Sequence, residues 1–254
     1  MTRPDRSGTM SFLDHLEELR RRLIVCLVAI GISFVACYAL SGPILTILLK
    51  PLKENIFEGG EIVYINLTEP FLIYMKAAFF VSIFLASPVV FHQLWGFIAP
   101  GLHPHERRWA WPFLIGGPLL FIAGAAFAYI FLLPMTARFL VQMGKGFKAA
   151  ITLRSAFSFE FYFLIGMGAV FQMPILIVVL ARLGLVTPRF LIRNFRWAIF
   201  IIFILAAVLT PTPDMVTQTV FAAPMIVLYL IGIVLAFLVA PARRRGAGPG
   251  EPEP

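Results

Sequence analysis

Long apolar runs separated by short polar stretches dominate the chain. A transmembrane helix needs about 20 apolar residues, and five runs come near that length while a sixth is shorter. They are Leu23–Leu40, which carries no charge; Phe71–Phe97, broken by Pro88 and holding Lys76 near its start; and Trp111–Leu133, containing Pro112 and Pro118 and closed by Pro134. Phe157–Leu183 contains Glu160, Gln172 and Pro174, Trp197–Leu209 is the short run, and Val216–Val239 contains Pro224. Extended to Phe195 and Thr210, the short run rises only about 24 Å. That is little for a hydrocarbon core of ~30 Å and implies local thinning or a protected position. The turn Thr210–Asp214 between the last two runs permits only an antiparallel hairpin.

Two further segments are patterned without being able to span. Ile44–Lys53, reading ILTILLKPLK, is amphipathic and is expected to lie along the outer interface, with Pro51 bending or ending it. Met10–Leu23 places Phe12, Leu13, Leu16, Leu19 and Leu23 at helical spacing among charges, which predicts an amphipathic helix on the cytoplasmic surface feeding the first span. The expected organisation is a cytoplasmic amphipathic segment over 1–22, a six-helix transmembrane domain over 23–240 and a disordered tail over 241–254. No internal repeat is visible, so the inverted-repeat signature of many carriers is missing.

Composition agrees with this pattern. The chain of 254 residues is 60% apolar and 13% charged, with a mean hydropathy of +0.90. These values exclude a water-soluble globule and a disordered chain. The net charge of +8 sits in short clusters between apolar runs, which speaks for membrane topology and against nucleic acid. One set of alternating segments, including both termini, carries 14 of the 21 basic residues and the opposite set carries 7. Both termini are therefore expected in the cytoplasm. The first run follows three arginines, as an export signal would, but its eighteen uncharged residues exceed a signal core, and removal would leave an odd number of spans. Cys26 and Cys37, about 16 Å apart along one helix, cannot bridge one another.

No nucleotide loop, metal-ligand spacing or nucleophile constellation is present, so neither an enzyme nor a cofactor is expected. His103 and His105 only flank Pro104. The loop Gln93–Arg108 reads QLWGFIAPGLHPHERR. Trp95 and Phe97 sit at the membrane boundary, where aromatic belts form, and the Pro100-Gly101 turn allows Phe97 and Glu106 to face one cytoplasmic cavity. Beside Arg107 and Arg108, Glu106 also reads as a local ion pair. Acidic residues on this basic face are few. If a cationic peptide docks here, Glu18 and Glu106 are the candidates for a joint site, because a guanidinium prefers bidentate carboxylates. Glu17 and Glu18 equally suit i,i+4 pairing with Arg21 and Arg22. Within the spans Gln172 lies mid-helix, a costly place for a polar group, and either a functional role or an interhelical hydrogen bond explains it. Glu160, about one turn from an outer end, and Lys76 are expected to reach the outer surface. Asp214 suits helix capping.

Together the HLEELRRRL string from His15, TEPF from Thr68, the QLWGFIAPGLHPHERR loop and the TPTPD turn closely resemble TatC, the multispanning receptor subunit of the twin-arginine protein translocase. The strings occur in the family's order across nearly the whole chain. The resemblance implies an all-α integral membrane fold of six helices in a concave, cup-like arrangement, with kinked spans and a short final pair. It implies recognition of folded cargo through an N-terminal signal bearing consecutive arginines, with Glu106 and its neighbours Arg107, Phe97 and Trp95 at the site and Glu18 and Arg20 helping to form it. Pro51, Asp214 and Glu69 of TEPF match positions tied to function on the outer side. Gln172 stands where many relatives carry a glutamate within FExP, so hydrogen bonding is kept and ionisation lost. The implied partners are the single-span TatA and TatB subunits and further copies in a multimeric complex in the cytoplasmic (inner) membrane, driven by the protonmotive force.

Two other classes compete. An ion-coupled small-molecule carrier would suit six spans with helix-breaking prolines and intramembrane Gln172, Glu160 and Lys76, but lacks the repeat. An intramembrane enzyme would need a catalytic pair or metal ligands that the sequence does not supply.

Overall fold

A computed structural model describes residues 12–56, 62–98, 110–144, 150–210 and 214–239. Among these, five stretches are long and apolar enough to cross a membrane and a sixth helix is shorter. Successive spans alternate in direction, which defines a terminal end, where the described chain begins and ends, and a distal end opposite.

Helix α1 (Phe12–Ala39) is continuous through the charged HLEELRRRL string and the first apolar run. It rests mainly on α3, and Leu23, Leu27, Ile32 and Val35 are left facing outward, as lipid-exposed side chains should. After a turn at Leu40, α2 (Ser41–Ile56) runs along the distal end. Leu45, Leu48, Leu49 and Leu52 are buried on one stripe against α3, α5 and α6, so the apolar face of this amphipathic segment packs on protein. Pro51 does not end the helix. A proline offers no amide to the carbonyl four residues before it, and the carbonyl it orphans, on Ile47, instead accepts the Tyr129 hydroxyl at 2.6 Å.

The same solution recurs in α3 (Glu69–Ile98), where Pro88 orphans the Phe84 carbonyl and the Ser87 hydroxyl donates to it at 2.7 Å. The third span is longer than expected. Helix α4 (Ala110–Phe127) passes through a π-helical turn, Ala128–Leu132, into α5 (Leu133–Met143). Pro134 therefore does not close the span. The Leu133 amide reaches back five residues to Ala128, which widens the turn just where the proline ring would otherwise crowd the preceding backbone.

The fourth span is two helices, α6 (Leu153–Val170) and α7 (Met173–Arg182), joined by a turn at Phe171-Gln172. Gln172 is thus at a helix junction and not mid-helix, because Pro174 falls in the first turn of α7. Glu160 lies two turns into α6 and is 1% exposed, so it does not reach the surface; α2 packs on this helix. Gly184, at φ +70°, supplies the left-handed turn that ends α7. Thr187 caps the short α8 (Pro188–Arg193), α9 (Phe195–Leu209) follows, and α10 (Met215–Val239) returns. Helix α9 spans only about 22 Å, whereas α10, at 25 residues, is long enough to cross, so only one of the final pair is short.

The main neighbours run α1, α3, α4, α6 with α7, α10 and α9, a row rather than a closed ring, which is the geometry of a curved wall. Its core is Phe80, Phe163, Met167, Phe221 and Met225 with many small residues. At Gly124 a side chain would fall 2.5 Å from the Met167 carbonyl, so only glycine allows α4 and α6 to approach this closely.

Candidate functional site

At the terminal end the first turns of α1 meet the last turns of α3. The Glu18 carboxylate accepts two hydrogen bonds from Arg22, one turn further on, with Nε at 3.1 Å and the terminal amine closer. The i,i+4 pairing expected of at least one of Glu17 and Glu18 is thus made by Glu18. Arg22 also donates to the Gln93 carbonyl at 3.4 Å, which ties α1 to α3. Gly96 makes room for this guanidinium, since a Cβ there would collide with it. Only one Glu18 oxygen is used. Oε2 is sheltered and has no hydrogen-bond partner among the described residues. One turn before Glu18, the His15 ring stacks on Phe97 with centroids 4.4 Å apart. A half-shielded carboxylate therefore stands beside a flat aromatic pair, a setting in which a guanidinium can both pair and stack.

Two helix positions from Phe97, Trp95 turns the other way. It is 7% exposed and packs with Phe91, Leu114, Ile175 and Val179, joining α3 to α4 and α7. Arg20 is exposed on α1. Glu106 and Arg107 lie outside the described residues.

Deeper in the wall, the Gln172 amide donates to the Gly117 carbonyl of α4 at 3.1 Å, while its Oε1 is buried without a partner. Of the two readings of Gln172, the interhelical hydrogen bond is the one made here. At the distal end, Glu69 is a hub. One carboxylate oxygen accepts the amides of Ile65 at 3.1 Å and Asn66 at 3.5 Å, and the other accepts the Arg154 amide at 2.8 Å. With the Val63–Thr152 bridge beside it, Glu69 fastens the start of α3 to the start of α6. Asp214 accepts the Thr217 amide at 2.7 Å and caps α10. Pro51 is buried in α2. The 30 residues of α3, about 45 Å, separate Glu69 from the Glu18 end, so the terminal and distal candidates form separate groups and Gln172 stands apart from both.

The Arg22 seat over Gly96 and the His15–Phe97 stack were not foreseen from the sequence; the small residue in the string LWGF was their one available sign. Among the described residues no group of three potential metal ligands converges.

The sequence model described as Sec-independent protein translocase protein (TatC) matches residues 14–224. The chain belongs to the TatC family. Its similarity to individual members covers almost its whole length. It is 42% identical to a Sec-independent protein translocase protein TatC of Koribacter versatilis (strain Ellin345), over 93% of this chain and 88% of that one. It is 37% identical to that of Carboxydothermus hydrogenoformans, over 93% and 97%. Two crystal structures described as the twin arginine translocase receptor TatC superpose with TM-scores of 0.76 and 0.79, at 35% and 34% identity. They cover 89% and 87% of this chain and 99% of each of theirs. This TatC-family chain is accordingly a multi-pass membrane component of the Sec-independent protein translocase, with the helical wall described above as its fold.

Proposed function

We propose that this protein is the receptor of its translocase, gripping the paired arginines of a twin-arginine signal peptide at the terminal end, which faces the cytoplasm. Glu18 and Glu106 supply the carboxylates, Arg20 and Arg107 contribute to the site, Phe97 forms the wall next to Glu18, and Trp95 fixes the end of α3 from behind. The observation that carries this reading is the sheltered, unused Oε2 of Glu18 beside the His15–Phe97 stack. Arg22 holds the carboxylate in place through the other oxygen, so an incoming guanidinium meets a positioned acceptor. The signal's apolar stretch lies against the curved wall near Gln172. At about 25 cal/mol per Å² this burial contributes several kcal/mol but does not distinguish one export signal from another. Charge selects and apolar contact holds.

The orientation follows from the excess of basic residues in the segments at this end. A wall of six helices encloses no pore for a folded protein, so transport requires the single-span TatA and TatB subunits and further copies of this chain in the inner membrane, with the protonmotive force as energy source. Gln172, part-exposed at the α6–α7 junction, is the polar group such a helix would meet. Pro51, Glu69 and Asp214 shape the opposite face.

The test is binding of a synthetic signal peptide to the purified protein in nanodiscs, with the arginine pair intact or replaced by glutamines. A charge-assisted hydrogen bond is worth about 1.5–3 kcal/mol, so the exchange is expected to weaken binding at least tenfold. Glu106→Ala and Glu18→Ala should remove the difference between the two peptides. Equal affinity for both peptides in the unaltered protein would overturn the proposal.

A further inference from the structure

Near the distal end a groove of about 490 Å³ opens between α1, α3 and α6. Its walls are mainly ring faces, Phe34 of α1, Phe79 of α3, and Phe157 and Phe161 of α6, with Lys76 and Ser158 as polar members. Phe34 and Phe79 meet edge to face at 6.5 Å across the α1–α3 junction.

We propose that this groove binds one anionic glycerophospholipid of the adjoining leaflet, with an acyl chain along the aromatic walls and the phosphate on Lys76.

The first argument is depth. Helix α3 is 30 residues long, about 45 Å, and exceeds the ~30 Å hydrocarbon core by about 15 Å. With that excess shared between its ends, the distal end stands about 7 Å outside the hydrocarbon. Lys76, seven residues after Glu69, then starts about 3 Å inside it. A four-carbon stem carries its ammonium back to the level of the lipid phosphates. Ser158, five residues into α6, lies at a similar height.

The second argument is charge. Lys76 is exposed and forms no ion pair among the described residues. The nearest carboxylate along the same stripe of α3, that of Glu69, is occupied by the amides of Ile65, Asn66 and Arg154. Among the described residues, Lys76 is the one charged side chain that lines the groove. An ammonium at the edge of hydrocarbon calls for a counter-charge, and a lipid phosphate supplies it together with the chain that fills the apolar walls. A zwitterionic lipid would bring its own cation against Lys76, so the anionic headgroup is preferred.

The test is native mass spectrometry of the full chain in detergent, titrated with a phosphatidylglycerol, the corresponding phosphatidylcholine, or glycerol 3-phosphate alone. One retained phosphatidylglycerol is expected, in preference to phosphatidylcholine. Lys76→Gln should weaken its retention about fivefold, the scale of one cation at an anionic membrane surface, and Lys76→Arg should retain it. Phe79→Ala should weaken both lipids. Equal retention of the two lipids, or undiminished phosphatidylglycerol on Lys76→Gln, overturns the proposal. So does saturation by glycerol 3-phosphate alone, which would mark a site for soluble anions. In membranes, a photoreactive group at Phe79 should label lipid; labelling of a partner polypeptide in its place assigns the groove to a helix and overturns the lipid. Thermal unfolding of each variant at the unaltered temperature confirms that retention reports binding.

Discussion

The Tyr129 hydroxyl donates to the Ile47 carbonyl, the one backbone acceptor that Pro51 deprives of its helical partner. Two residues 82 apart in sequence thereby allow α2 to run through a proline at the membrane edge, where water is scarce and an idle carbonyl is costly. Tyr129→Phe keeps the ring and removes the donor, and is expected to lower stability by about 1 kcal/mol. Pro51→Ala returns an amide to Ile47, so the same tyrosine change should cost markedly less in the Pro51→Ala background. Thermal unfolding of the four proteins of this cycle in detergent measures the coupling.

Glu69→Ala leaves the Ile65, Asn66 and Arg154 amides without their acceptor. The expected loss is about 2 kcal/mol or more. Hydrogen exchange should quicken at those three amides before it quickens elsewhere, and Glu69→Gln, which keeps one acceptor oxygen, should protect some of them.

Gly96→Ala puts a methyl group where the Arg22 guanidinium now rests. The end of a long side chain yields easily, so stability should change by less than about 1 kcal/mol. The Arg22 link to Gln93 should nevertheless be lost, and with it the fixed position of Glu18. Discrimination between arginine-pair and glutamine-pair signal peptides is expected to fall while the unfolding temperature stays put.

Gln172→Glu keeps the length of the side chain but removes the amide that donates to Gly117. A carboxylate facing a carbonyl has nothing to donate, and a loss of about 1–3 kcal/mol is expected at pH 8 by thermal unfolding. Gln172→Asn, too short to reach across, should lose a similar amount.

The spans were legible because lipid imposes one requirement on every residue of a helix. The run Val216–Val239 is α10 to within a residue, and α3 is Phe71–Phe97 extended by two residues at its start and one at its end. What hydropathy does not register is the hydrogen-bond partner of a particular carbonyl. Pro134 reads as a stop, yet the amide of Leu133 changes its acceptor and the helix goes on. Pro174 reads as a kink, yet it opens a new helix and places Gln172 at the joint. Glu160 reads as a surface group, because burial by α2 depends on contacts between distant segments. At the terminal end, the Glu18–Arg22 pair follows from spacing within one helix, whereas Arg22 reaching Gln93 is tertiary and leaves no local mark.

The wide turn at Ala128–Leu132 bears on which changes of length the third span tolerates. A π-helical turn holds one residue more than an α-helical path with the same phase at both ends, so Leu132, Leu133, Thr136 and Ala137 continue the buried face begun by Gly124, Ala125 and Ala128. Removing one residue between Ala128 and Leu132 leaves the two halves of the rod in step. Removing one anywhere else along it swings everything beyond by about 100° and turns a lipid-facing side into the protein.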